Sequence, residues 1–94
     1  MTTLDQIAIK IIKEQELIIG PIAWDEASKV AGLHIIDEKA GTVQIDNENR
    51  TVIVDRLVQQ YERLFGKASH EVCREAVAGL IAELPPTEVP ESLR

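Results

Sequence analysis

Cysteine, aromatic rings, positive charge and long apolar runs are all scarce in this 94-residue chain, and each shortage excludes a class of protein. The single cysteine, Cys73, has no internal partner for a disulfide, and one thiolate is too few for a zinc finger. Ten Lys and Arg against sixteen Asp and Glu give a net charge of −6, the wrong sign for a protein that works on phosphate backbones or anionic lipid. The longest apolar runs, such as Leu17-Ile18-Ile19, are far too short to cross a bilayer. The opening Met1-Thr2-Thr3-Leu4-Asp5 shows neither a basic region nor the apolar stretch of a secretory leader, so a cytoplasmic location is expected.

What is present points to one folded unit. An apolar content of 45% is too high for a disordered chain and supplies one core. The apolar residues Leu4, Ile7, Ala8, Ile11, Ile12, Ile18 and Ile19 fall on one stripe at the helical period, which predicts a helix over 4–18. Thr3 and Gln6 fit a capping box at its start, and Gly20-Pro21 is the expected stop. A second helix is expected over 21–31, with Trp24 at its edge and Gly32 as its end. Leu33–Ile36 and Thr42–Ile45 are β-branched runs around Asp37-Glu38-Lys39-Ala40-Gly41, which predicts a hairpin with strands over 33–36 and 42–45. Asp46-Asn47-Glu48-Asn49 is a further turn signal. Thr51–Val54 fits a strand as well as a helix. Ile53, Leu57, Tyr61 and Phe65 continue the four-residue spacing, so a helix over 52–65 is assigned with Asn49 or Thr51 near its cap. Ser69 is the expected cap of a last helix over 70–84, which Pro85-Pro86 ends. The resulting fold class is mainly α with a small β-hairpin: one domain over 1–84, then a flexible, proline-containing tail over 85–94.

Catalytic and metal chemistry find little to stand on. His70 and Cys73 share one side of the last helix, but the remaining histidine, His34, lies in the hairpin, and zinc wants four ligands. A Cys73–His70 pair with Tyr61 nearby is the one candidate for a small enzyme or thiol site. The plainer reading is a core cysteine beside an edge histidine. Asp37 and Glu48 have calcium-loop separation, but Lys39, Gly41 and Thr42 occupy the positions where ligands and the turn glycine belong. No phosphate-cradling glycine motif is present. No cofactor and no metal are therefore expected.

Two segments resemble known proteins. Glu26-Ala27-Ser28-Lys29-Val30-Ala31-Gly32-Leu33-His34 resembles the first helix and turn of winged-helix regulators of the mercury-resistance type, which implies DNA binding. The following residues, Asp37, Glu38, Asp46 and Glu48 against Lys39, carry the wrong charge for a recognition helix, so nucleic acid is not expected as a partner. Ile19-Gly20-Pro21-Ile22-Ala23, together with the tail from Leu84-Pro85-Pro86 to Leu93-Arg94, is similar to small helical modules that accompany bacterial signalling proteins. That resemblance implies a regulatory or scaffolding role and carries over no catalytic residue.

The first helix holds more apolar residues than one stripe needs. Ile9 and Leu17 fall outside the stripe, Lys13 lies on the polar back and Gln15 falls inside it. A Gln in an apolar seam can set the register of a helix pair. The sequence therefore leads to a non-enzymatic interaction or regulatory module, acting as a homodimer or on another protein. Ile9, Ile12, Lys13, Gln15 and Leu17 are its candidate interface. The plainer alternative packs Ile9 under the hairpin and gives Gln15 a local backbone partner.

Overall fold

The computed structural model describes residues 3–46 and 48–94. Asn47, in the expected turn at 46–49, lies outside the described residues. Helix α1 (Thr3–Ile19) buries Leu4, Ile7, Ala8, Ile11, Ile12 and Gln15, positions that recur every three or four residues. Thr3 is already helical, so it is not the cap that its spacing from Gln6 suggested. Gly20 takes φ 79°, in the left-handed region, and its N–H reaches the Glu16 carbonyl at 2.9 Å, closing the helix.

Helix α2 (Ile22–Ala27) ends well before the expected Ala31. The N–H groups of Lys29 and Val30 reach back three residues, to Glu26 and Ala27, and the Ser28 hydroxyl donates to the Asp25 carbonyl at 2.6 Å. That tightening winds the chain out of the α-helix. It runs through Gly32 into strand β1 (Leu33–Asp37), which pairs antiparallel with β2 (Thr42–Ile45). Leu33 faces Ile45 and Ile35 faces Val43. The register shifts between Ile35 and Asp37, and the extra residue, Ile36, is turned out to solvent.

Helix α3 (Arg50–Phe65) takes in the ambiguous residues 51–54, because Ile53, Val54, Leu57, Val58 and Tyr61 bury one continuous face. Asn49 caps it in a left-handed conformation that Asn tolerates. Gly66, at φ 86°, turns the chain directly into α4 (Lys67–Ile81). Ser69 therefore sits inside α4 and is buried, instead of capping a helix at His70. Beyond Ile81 the N–H groups of Glu83 and Leu84 again reach back three residues, so α4 stops short of Leu84.

Helix α4 runs back along α3 after a one-residue turn, and Gln15 near the end of α1 meets Ser69 near the start of α4, so α1 and α4 are antiparallel as well. Trp24, expected at an edge, is a core residue at 2% exposure, and its ring N–H donates to Glu16 at 2.7 Å. Tyr61 is fully buried, and its hydroxyl donates to the Ala23 carbonyl at 2.6 Å. The tail expected to be flexible is instead wound into two 3₁₀ turns, Pro86–Glu88 and Glu91–Leu93, of which the second packs on α3 and α4. Pro90 and Leu93 are buried there, an apolar anchorage that the tail's composition hid. Among the described residues no helix is long and apolar enough to cross a membrane. The described residues thus form a mainly helical globule with four α-helices and one two-stranded antiparallel hairpin.

Candidate functional site

The residues singled out on α1 separate into three groups. Ile12 and Gln15 are buried inside the chain, at 0% and 1% exposure. Gln15 instead spans the α1–α4 seam. Its Nε2 donates to the Ser69 carbonyl at 3.1 Å and to the Cys73 sulfur at 3.4 Å, and its Oε1 accepts the Ser69 hydroxyl at 2.7 Å. A buried amide satisfied at both ends fixes which turns of the two helices lie side by side. Ile9 is half-buried and packs against the core. Lys13 is exposed and passes beside Gly41 in the hairpin turn, so close that a side-chain carbon on Gly41 would fall 2.6 Å from its Cε. Leu17 alone projects, at 80% exposure.

Leu17 has company that the first helix alone did not reveal. Ile18 is 60% exposed, and Ile22, Leu64 and Phe65 are bare as well. The Gln15–Ser69 contact brings the end of α1 to the start of α4, and the Tyr61–Ala23 bond brings the start of α2 to the last turns of α3. The ends of the elements that carry these five side chains therefore lie near one another. Glu14, paired with Lys10 at 3.3 Å, and Glu16, which accepts the Trp24 indole N–H, lie on the last turns of α1, and Arg63 and Lys67 lie on either side of Gly66. Phe65, which the four-residue spacing placed on the buried face with Tyr61, is exposed here, and so is Leu64. The signal that would have located them is Gly66, which ends α3 at that point.

His70 and Cys73, the other sequence candidates, part company. Cys73 is fully buried in the α1–α4 seam, and burial pushes its thiol up to about 11 despite the Gln15 hydrogen bond, which acts the other way. A nucleophilic cysteine needs the opposite shift. Tyr61 is likewise held protonated by burial and donates to the backbone. His70 lies on the far edge of α4, in an open groove of about 510 Å³ lined also by Asp55, Gln59, Glu62, Arg63, Glu91 and Ser92. Its Nδ1 is 2.6 Å from a Glu62 carboxylate oxygen, and its Nε2 meets the Ser92 carbonyl.

Glu62, His70 and Ser92 are the residue types of a hydrolytic triad, but the ring meets the serine's carbonyl instead of its hydroxyl. The Ser92 Oγ is buried without a partner among the described residues. The ring has no hydroxyl proton within reach at Ser92, so the three do not form the hydrogen-bond relay of such a triad. Sequence reasoning missed this link because Ser92 was read as part of a free tail.

The hairpin histidine, His34, pairs with Asp46 at 2.9 Å on the surface. Among the described residues no cluster of His, Cys, Asp and Glu is arranged to hold a metal ion. The segment resembling a regulator's first helix and turn leads from α2 into β1, so no recognition helix follows it. Comparison with protein-family models, with curated proteins and with solved structures finds no match for this chain.

Proposed function

We propose that this protein is a non-enzymatic interaction module that associates with a second copy of itself through the bare apolar end. The observation that carries the reading is the exposure of Leu17, Ile18, Ile22, Leu64 and Phe65 on the neighbouring ends of α1, α2 and α3, five of the seven large apolar residues left exposed among the described residues. Exposed apolar groups ringed by charge are what association sites look like. The choice of a second copy rests on the rim: acidic Glu14 and Glu16 stand on the α1 side, basic Arg63 and Lys67 on the α3–α4 corner. In a two-fold contact each edge meets the other edge of its twin, so opposite charges face each other twice. The resemblance of Ile19–Ala23 to modules of bacterial signalling proteins gives the reading its regulatory direction, and a cytoplasmic setting suits it.

The test is solution mass by sedimentation over a concentration series, for the wild type and for Leu17→Glu combined with Phe65→Glu. The expected result is a dimer for the wild type and a folded monomer for the variant. A wild type that stays monomeric up to about 100 μM, some hundredfold above a micromolar Kd, overturns the homodimer.

A further inference from the structure

Two of the helical cations of this acidic chain are answered by a carboxylate one turn away: Lys10 pairs with Glu14 at 3.3 Å and Arg74 with Glu71 at 3.2 Å. Arg56 and Arg63 on α3 are placed differently. Three and four residues away, Arg56 has Val52, Ile53, Gln59 and Gln60, and Arg63 has Gln59, Gln60, Gly66 and Lys67. Neither has an acid within helical reach. Positions 56, 59, 60 and 63 follow the i, i+3, i+4, i+7 spacing of one helix face. The turn after α2 brings Lys29 to that face, and Lys29, Arg56, Gln59, Gln60 and Arg63 line one open hollow of about 270 Å³.

A buried carboxylate ties part of this set together. Glu26, only 7% exposed, accepts Lys29 Nζ at 3.0 Å on one oxygen and Gln60 Nε2 at 2.9 Å on the other. The Gln60 Oε1 in turn accepts an Arg63 N–H at 2.9 Å. The Lys29 bond first, and then the Gln60 bond, hold the Glu26 carboxyl below its usual range, so it stays ionised at neutral pH. This chain of bonds fixes Lys29 and Arg63 while leaving each with donors to spare. Arg56 makes no ion pair or hydrogen bond among the described residues. Three cations against one carboxylate leave the hollow with a surplus of two positive charges, on a chain whose net charge is −6. Of the carboxylates in the two adjoining hollows, Asp46, Asp55 and Glu62 already have partners in His34, Gln59 and His70.

We propose that this hollow is a binding site for a small polyanion, a molecule carrying two or more phosphate or carboxylate groups, held by Arg56, Arg63 and Lys29. Guanidinium forks take either group bidentately, and the lysine adds a compact charge. The two arginines stand seven residues apart, about 10 Å along the helix axis, which two anionic groups span better than one. The net charge of the chain sets the size of the ligand. Fields at physiological salt fade within about 8 Å, so a small anion seated in the hollow feels the local surplus of cations. An acidic protein or a nucleic acid would also cover the surrounding carboxylates and be repelled by them.

The experiment titrates the full-length protein with inorganic pyrophosphate and, in parallel, with citrate, at constant ionic strength, and follows the arginine side-chain N–H signals by NMR. The expected result is a saturable shift at Arg56 and Arg63 with a Kd below about 1 mM, and binding of acetate at least about tenfold weaker. Whichever of the two probes binds more tightly identifies the favoured group, phosphate or carboxylate. Arg56→Gln and Arg63→Gln should each weaken binding about tenfold, as loss of a charged hydrogen bond does. Both side chains are exposed, so these variants keep the fold. Arg74→Gln removes the same charge from α4 and should leave the affinity within about twofold. Shifts that do not saturate by about 10 mM of either probe overturn the proposal. So does an Arg74→Gln loss as large as those on α3, which would mean diffuse attraction without a site.

Discussion

Gln15 and Leu17 stand two residues apart on the same helix, and the chain buries the polar one while baring the apolar one. Their exposures are 1% and 80%. The difference lies in what each turn of α1 has opposite it. At Gln15, α1 meets Ser69 and Cys73 on α4, and the amide finds donor and acceptor at hydrogen-bonding distance. Because the two helices are antiparallel and α4 begins at Lys67, the turn of α1 beyond Gln15 has almost no partner helix left. It overhangs. Even Ile18, which the helical wheel places with Leu4 and Ile11 on the buried stripe, is 60% exposed there. Periodicity sets the direction of a side chain, and the length of the neighbouring helix decides whether anything waits in that direction.

The comparison breaks most visibly at Gln15. Gln15→Ala leaves the Ser69 hydroxyl without its acceptor in a sealed seam and opens a void beside Cys73. The expected loss is about 2–4 kcal/mol, read from the denaturant midpoint at constant slope. A loss below about 0.5 kcal/mol would mean that the seam does not depend on the amide. Ser69→Ala removes only the hydroxyl that serves Gln15 Oε1, and should lose about 1–2 kcal/mol. The double variant should fall short of the sum by at least about 0.5 kcal/mol, since each partner's contribution requires the other.

Cys73 sharpens the same seam through pH. Its thiol is raised by burial from an ordinary 9 to about 11, so the folded chain favours the protonated form. The stability it contributes is fully present below pH 9 and is lost as pH rises toward 11. At pH 8.5 alkylation should therefore proceed only at the rate at which the seam opens, and should speed up in step with added denaturant. Fast alkylation of the native protein at that pH would place the thiol on an accessible surface and revive it as a reactive group.

Much of the architecture was legible because its signals are local. The stripe Leu4–Ile12, the face Ile53–Tyr61 and the two β-branched runs around Gly41 each report their own period, and all appear as elements. What escaped depended on distant residues. Ser69 has the composition of a cap, yet Gly66 starts α4 earlier and turns Ser69 inward to Gln15, 54 positions away in sequence. The tail looked free because Pro and Glu dominate it, while its anchors are Leu93 and a carbonyl that waits for His70. The candidate interface read from α1 mixed buried Ile12 and Gln15 with exposed Leu17. The other exposed apolar residues nearby, Ile22 on α2 and Leu64 and Phe65 on α3, come from two further segments whose ends only the fold brings close.

The finest test of the comparison is Ile18, where wheel and structure disagree. By its angle it belongs to the core, and Ile18→Ala would then lose about 2–5 kcal/mol, as core truncations do. By its position on the overhang it has little to lose within one chain, and the expected change in dilute solution is under about 1 kcal/mol. Concentration supplies the second half of the measurement. Self-association adds to the stability of whatever it binds by mass action, so the wild type should gain apparent stability as protein is added, and the variant should gain less. A core-sized loss that does not change with concentration would show that the first turn of α4 covers Ile18 after all. A small loss that widens with concentration would locate the side chain where two copies meet.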